Sequence, residues 1–237
     1  ETDRAAAIRV ASSLSKADKI QALAADHPGA VLVPVLAEEA TGSNQLPAAL
    51  AAVIYVATGL KVDHGIVQSV RAHRTGQGHL YRMAHRPKFE GGVTEGQEYI
   101  IVDDLAAMGG TLAELRHYIE SRGGIVVDAV TLAAGRFGNV FGLTPETEAG
   151  LAERFGVNYL TELLERSDLY GGNWKYLSEG EGRELLKALP PDAGRDGASA
   201  GRGPRDRPLR GGAPRGDPGR DGHPLSLIHI SEPTRPY

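Results

Sequence analysis

The sequence predicts an α/β protein built on a parallel sheet covered on both faces, followed by a helical C-terminal segment. Three observations lead there. Ala30–Ala37 (AVLVPVLA), Glu98–Val102 (EYIIV) and Ile125–Ala133 (IVVDAVTLA) are short runs, apolar or rich in β-branched and aromatic residues, as in strands buried on both sides. Segments with helical spacing lie between them. Glycine or proline closes several of those segments, and strand–helix–strand alternation favours parallel pairing.

The elements follow in order. Lys16 to His27 places Ile20, Leu23 and Ala24 on one helical face, and Pro28-Gly29 stops it. After the first strand comes a polar segment, Glu38 to Gln45 (EEATGSNQ). Pro47 to Thr58 is Ala-rich, long enough for a buried helix, with proline near its first turn and Gly59 at its end. Leu60 to Val70 mixes β-branched and polar residues and holds a strand. Residues 71–95 are basic, polar and Gly-containing, a long loop or loose hairpin of a length usually functional or disordered. Thr111 to Ser121 is an amphipathic helix through Leu112, Leu115 and Ile119, closed by Gly123-Gly124. Beyond Thr144 the pattern is helical over 145–155, 160–166 and 180–189, and no internal repeat is visible.

Composition bounds the function. A chain of 237 residues with 41% hydrophobic and 24% charged residues is globular, one sizeable domain or two small ones, rather than disordered throughout. No run nears the roughly 18 apolar residues a membrane span needs. The absence of cysteine excludes disulfides, thiolate metal sites and cysteine nucleophiles. A net charge of −4 makes no case for nucleic acid. The chain opens at Glu1 without an apolar signal core, so an incomplete N-terminus and a cytoplasmic home are the expectations.

Residues 190–237 hold 9 of the 14 prolines and 9 of the 31 glycines, too little apolar area to offset ordering entropy. A domain over 1–189 and a disordered Pro/Gly/Arg-rich tail over 190–237 are therefore expected. Within the tail, Leu225 to Arg235 (LSLIHISEPTR) resembles a translated sequencing adapter and is left out of the fold reasoning as an artefact.

The chemistry concentrates in Tyr99 to Thr111, Y-I-I-V-D-D-L-A-A-M-G-G-T. An apolar strand delivers two carboxylates to its C-terminal end, where ligands bind in open α/β sheets. A turn of small residues follows, then a helix N-terminus with free amides and a positive dipole end, which suits a phosphate. Carboxylates beside an anion site make sense if they hold hydroxyls, or Mg²⁺ through its waters. A ribose 5-phosphate satisfies both requirements. The competing reading is a solvated turn, since Asp and Gly are common there.

Val102-Asp103-Asp104 followed by Leu-Ala-Ala-Met-Gly-Gly-Thr resembles the PRPP-binding signature of type I phosphoribosyltransferases. The resemblance implies a three-layer α/β/α phosphoribosyltransferase-like fold, a homodimer, and transfer of ribose 5-phosphate from PRPP to a nitrogenous base with Mg²⁺. It gives Asp103 and Asp104 the ribose hydroxyls and a water-mediated metal contact. Ala106, Ala107, Met108, Gly109, Gly110 and Thr111 become the phosphate loop. Met108 stands where the family often has Thr, which removes one hydroxyl contact worth about 1 kcal/mol. Ala107 stands where the 6-oxopurine branch has Asp, which points instead to the adenine or orotate branches.

The resemblance further makes Thr41, Gly42, Ser43 and Asn44 the pyrophosphate-binding loop, next to the acidic Glu38-Glu39. Alternatively, Ser43 or Asn44 caps the following helix. Residues 71–95 take the place of the flexible catalytic loop. There Arg86 and Lys88, with Arg82 next, would neutralise the departing pyrophosphate, and His85 or Glu90 would assist proton transfer. The same stretch, with Tyr81 and Phe89 interleaved among cations, can also stack on single-stranded nucleic acid. His64, His73, His79 and His117 show no ligand spacing, so no zinc site is expected. Met108 and the Glu38-Glu39 pair keep open a second reading, a regulator that senses PRPP or a nucleotide without turnover.

Overall fold

The computed structural model describes residues 2–36, 38–39, 42–70, 83, 85–138, 140–188 and 228–230. Two helices, α1 (Thr2–Leu14) and α2 (Ala17–Asp26), precede strand β1 (Val31–Pro34). The polar segment after β1 forms a minimal antiparallel ladder of β2 (Glu38–Glu39) and β3 (Gly42–Ser43). Helix α3 (Leu46–Thr58) follows and ends at Gly59, whose φ of 79° supplies the left-handed cap. Strands β4 (Val67–Val70) and β5 (Lys88–Glu90) pair antiparallel, and residues 71–82 and 84 between them lie outside the described residues. Then come β6 (Glu98–Ala106), α4 (Gly110–Glu120) and β7 (Ile125–Ala134). The helical remainder holds α5 (Pro145–Phe155), α6 (Val157–Arg166), two 3₁₀ turns at Tyr170–Gly172 and Trp174–Tyr176, and α7 (Glu179–Ala188).

The main sheet runs β1-β6-β7, all parallel, with Val62 bridged to Leu32 in parallel beyond β1. The central β6 has neighbours on both sides, which is why Ile100, Ile101 and Val102 are fully buried. Its side chains alternate between two apolar clusters. Ile100 and Val102 join Leu32, Leu50, Ile54, Ile20 and Leu23 beneath α1, α2 and α3. Ile101 joins Val33, Leu112, Leu115, Ile119 and Phe89 beneath α4 and the β4–β5 pair. A third cluster binds α5, α6 and α7 through Leu151, Leu160, Leu164, Trp174 and Leu185, and reaches α4 at Ala113.

Three expectations need correction. Strand β6 does not stop at Val102 but continues through Asp103, Asp104 and Leu105 to Ala106, because β7 runs beside it over the same length. Phe89 does not stand out for stacking on bases; it is buried 6.2 Å from the Tyr118 ring. The tail, left out of the fold in the sequence reading, contributes β8 (Ile228–Ile230), antiparallel on β7. No described helix is long and apolar enough to cross a membrane.

Candidate functional site

Continuation of β6 separates the two acids. Consecutive residues of a strand point to opposite faces. Asp104 turns toward α3, where its Oδ2 accepts a hydrogen bond of 3.0 Å from the Asn44 side-chain amide. Asn44 Oδ1 in turn accepts from the Leu46 N–H at 3.1 Å, so one asparagine ties the first residue of α3 to Asp104. Asp103 turns the other way, is 6% exposed, and accepts from the Asp104 N–H at 2.9 Å. The half-buried Asp104 is the acid presented at the strand end. Asp103 orders the backbone behind it.

Of the phosphate loop proposed from sequence, Ala106 ends β6, Ala107, Met108 and Gly109 form the turn, and Gly110 opens α4. Gly109 sits at φ 81°, a conformation costly for any other residue, and its carbonyl accepts the first helical bond from Ala113 at 2.9 Å. The carbonyls of this turn all meet protein. That of Ala106 accepts from Gly135 N–H at 2.8 Å, and that of Gly110 from Arg86 Nη1 at 3.1 Å. The oxygens of Ala106 and Met108 lie so close to Gly138 and Gly180 that a methyl group at either glycine would strike them. A trans peptide plane points its N–H opposite to its C=O. The first amides of α4 have no helical partner. That is the arrangement an anion needs. Thr111 follows as the second helical residue.

Two of the expected catalytic cations, Arg86 and Lys88, are among the described residues. Arg86 is not on a free loop facing a leaving group but buried, with salt-bridge partners Glu181 and, at 3.8 Å, Glu114. Burial works against its charge, and Glu181, Tyr170 and Glu114 more than offset this, so its pKa is raised. Lys88 is exposed on β5 and bonds Asp168 at 2.9 Å, which raises its pKa. Glu90 is exposed at the end of the same strand, and His85 is exposed just before it. Gly42 and Ser43 form β3 beside the Asn44 junction. Thr41 and Arg82 lie outside the described residues, as do Tyr81, His73 and His79.

Sequence reasoning missed the part played by the C-terminal segment. Ser178 caps α7, accepting from Glu181 N–H at 3.3 Å, while the Glu181 carboxylate accepts from Ser178 N–H at 3.0 Å. This capping box was legible as S-x-x-E. Glu181 also takes the Tyr170 hydroxyl at 3.0 Å and Arg86 Nη2. Burial first, then Glu181 and Glu114, push the Tyr170 phenol well above its ordinary pKa, so it remains a donor. Glu114, one turn into α4, is pushed up to about 7, chiefly by burial and against the pull of Arg86. His117 is held below its usual pKa by burial and Arg122, between the rings of Tyr170 and Tyr176.

The described residues contain no group of three or more His, Asp or Glu able to hold a metal ion. Two carboxylates on opposite faces of a strand cannot share one ion directly. Asp103 and Asp104 could meet an Mg²⁺ only through its waters.

No protein-family profile matches the chain. Protein TraN of Escherichia coli is 41% identical over 171 residues, which cover 72% of this chain and 38% of that protein. An uncharacterized protein of Haemophilus influenzae is 42% identical over 93 residues, 39% of this chain and 21% of its own length. The chain thus spans well under half of each relative. Among solved structures, adenine phosphoribosyltransferase from Thermoanaerobacter pseudethanolicus superposes with a TM-score of 0.33 and 24% identity over 48% of this chain and 66% of that one. Purine phosphoribosyltransferase from Pyrococcus horikoshii gives 0.33 and 19% over 53% and 72%. UMP synthase from Leishmania donovani gives 0.33 and 16% over 77% and 33%. Scores at this level do not establish a shared fold, and the functional reading rests on the site's own residues.

Proposed function

We propose that the chain binds PRPP and transfers its ribose 5-phosphate to a nitrogenous base. The observation that carries this reading is the Asn44–Asp104 hydrogen bond. It joins the segment after β1 to the acid near the end of β6, beside the turn that leads into the first amides of α4. A ligand spanning these three features has a phosphate at the turn, a hydroxyl-bearing ring at Asp104, and a second anionic group toward 42–44. The base nitrogen would attack C1 as the C1–oxygen bond breaks. Pyrophosphate would leave with the electron pair and its Mg²⁺, and the base would give up a proton. The protein would act mainly by holding reactants in line.

A second reading has an observation of its own. Arg86 and Lys88, the cations expected on the leaving group, both have carboxylate partners. That favours a sensor which binds PRPP without turnover. Calorimetric titration with PRPP and Mg²⁺, followed by a screen of bases for pyrophosphate release, separates the cases. Binding with release supports the transferase, and binding without release supports the sensor. A folded chain that binds no PRPP removes both.

A further inference from the structure

Arg86 reaches four parts of the molecule at once. Its Nε donates to Met83 O at 3.1 Å, ahead of strand β5. Its Nη1 donates to Gly110 O at 3.1 Å, on the first residue of α4. The same nitrogen meets the Tyr170 hydroxyl, and Nη2 meets Glu181 at the start of α7. The guanidinium carbon lies 4.3 Å from the Tyr170 ring centre. Tyr170 itself sits at φ 49°, a left-handed conformation unusual for a bulky residue, which persists only where surroundings over-determine it. Around this cluster the space is closed. A methyl on Gly110 would lie 2.5 Å from Glu181 Oε1, and one on Gly109 would lie 3.1 Å from the Ser178 side chain.

We propose that Arg86 is a positioning residue for the phosphate turn, fixing the Gly110 carbonyl and with it the Thr111 N–H on the same peptide plane. The α7 capping box and Tyr170 then belong to the phosphate-binding apparatus as the support that holds the guanidinium. Only an arginine fork can serve the carbonyl and the carboxylate together. This inference rests on the reading of 107–110 as a phosphate site.

The test uses the full chain, with ribose 5-phosphate and PRPP as probes in calorimetry and thermal melting alongside. Arg86→Met removes the fork, and Arg86→Met/Glu181→Leu replaces the buried pair with apolar groups, which often preserves stability. Both variants are expected to bind ribose 5-phosphate at least about tenfold more weakly at temperatures where they are folded. Arg86→Lys is expected to recover only part of the loss. Glu181→Gln, the mildest change, is expected to fold and weaken binding about threefold. A double variant that melts like the parent yet still binds weakly separates positioning from stability. Parent-like affinity in any folded Arg86 variant, or in Glu181→Gln, overturns the proposal. Failure of the parent to bind either probe overturns the underlying site instead.

Discussion

The turn at 107–110 has two sides that the protein treats oppositely. On the inner side its carbonyls meet Gly135 N–H, Gly138, Gly180 and the Arg86 guanidinium, drawn from three separate stretches of chain. On the outer side stand amides with no partner on their own helix. Asp104, the acid aimed toward the open strand end, is tied by one side-chain hydrogen bond to Asn44, while Asp103 is folded back. The difference teaches how a flexible, glycine-rich segment becomes a rigid recognition surface. It is fixed by contacts distant in sequence rather than by its own residues.

The largest expected effect comes from breaking the inner side. Gly138→Ala places a methyl against the Ala106 carbonyl, and overpacking of this kind costs roughly 1–3 kcal/mol or more. Chemical denaturation should show that loss, while Gly92→Ala, which meets nothing, should leave the midpoint nearly unchanged. A parent-like midpoint for Gly138→Ala would mean the close approach is relieved by backbone movement.

Next is the pH response of the buried cluster. Glu114 faces Arg86, Lys88, Glu181 and Asp168, with His117 one turn along α4 and Tyr170 across the network. Its carboxyl is raised from 4.5 to about 7, so the folded state keeps a proton that the unfolded chain releases. The resulting stability is fully present below pH 4.5 and is lost as pH rises through 7. At roughly 1.4 kcal/mol per unit the change is on the order of 3 kcal/mol. Glu114→Gln should flatten this part of the stability profile; a profile as steep as the parent's would assign the proton elsewhere.

The outer side is sharpened by comparing its two acids. Asp104→Ala should weaken PRPP binding about tenfold, near 1.4 kcal/mol, with little change in melting. Asp103→Ala should lower the melting temperature, since it removes a buried acceptor for a backbone N–H. Reversal of these two phenotypes would exchange the roles assigned above. Smallest of all is Lys88→Met. Its partner Asp168 is 86% exposed in the side chain, so stability should move by no more than about 0.5 kcal/mol.

Much of this fold was legible because apolar runs and glycine stops are local signals. The helices at 17–26, 46–58, 110–120 and 145–155 and the three parallel strands stand within a few residues of their expected places. What escaped depends on contacts distant in sequence. Strand β6 runs on through Asp103-Asp104, a pair with poor strand propensity, because β7 pairs with it there. Helix α1 was not marked because alanine and serine give it little apolar contrast, yet Ala7 and Ala11 seat it against the core. The fate of Arg86 was the least readable. Arginine is seldom fully buried, and the carboxylate that permits burial lies 95 residues away.

The Asn44–Asp104 bond has a consequence for how any ligand arrives. A carboxylate has about four acceptor sites, so a hydroxyl or hydrated ion at Asp104 would join the Asn44 amide there, while the other end of the same asparagine keeps hold of Leu46 N–H. Asn44 is thereby a resident reporter. Its side-chain nitrogen resonance should shift as the site is loaded, with no label placed on the ligand.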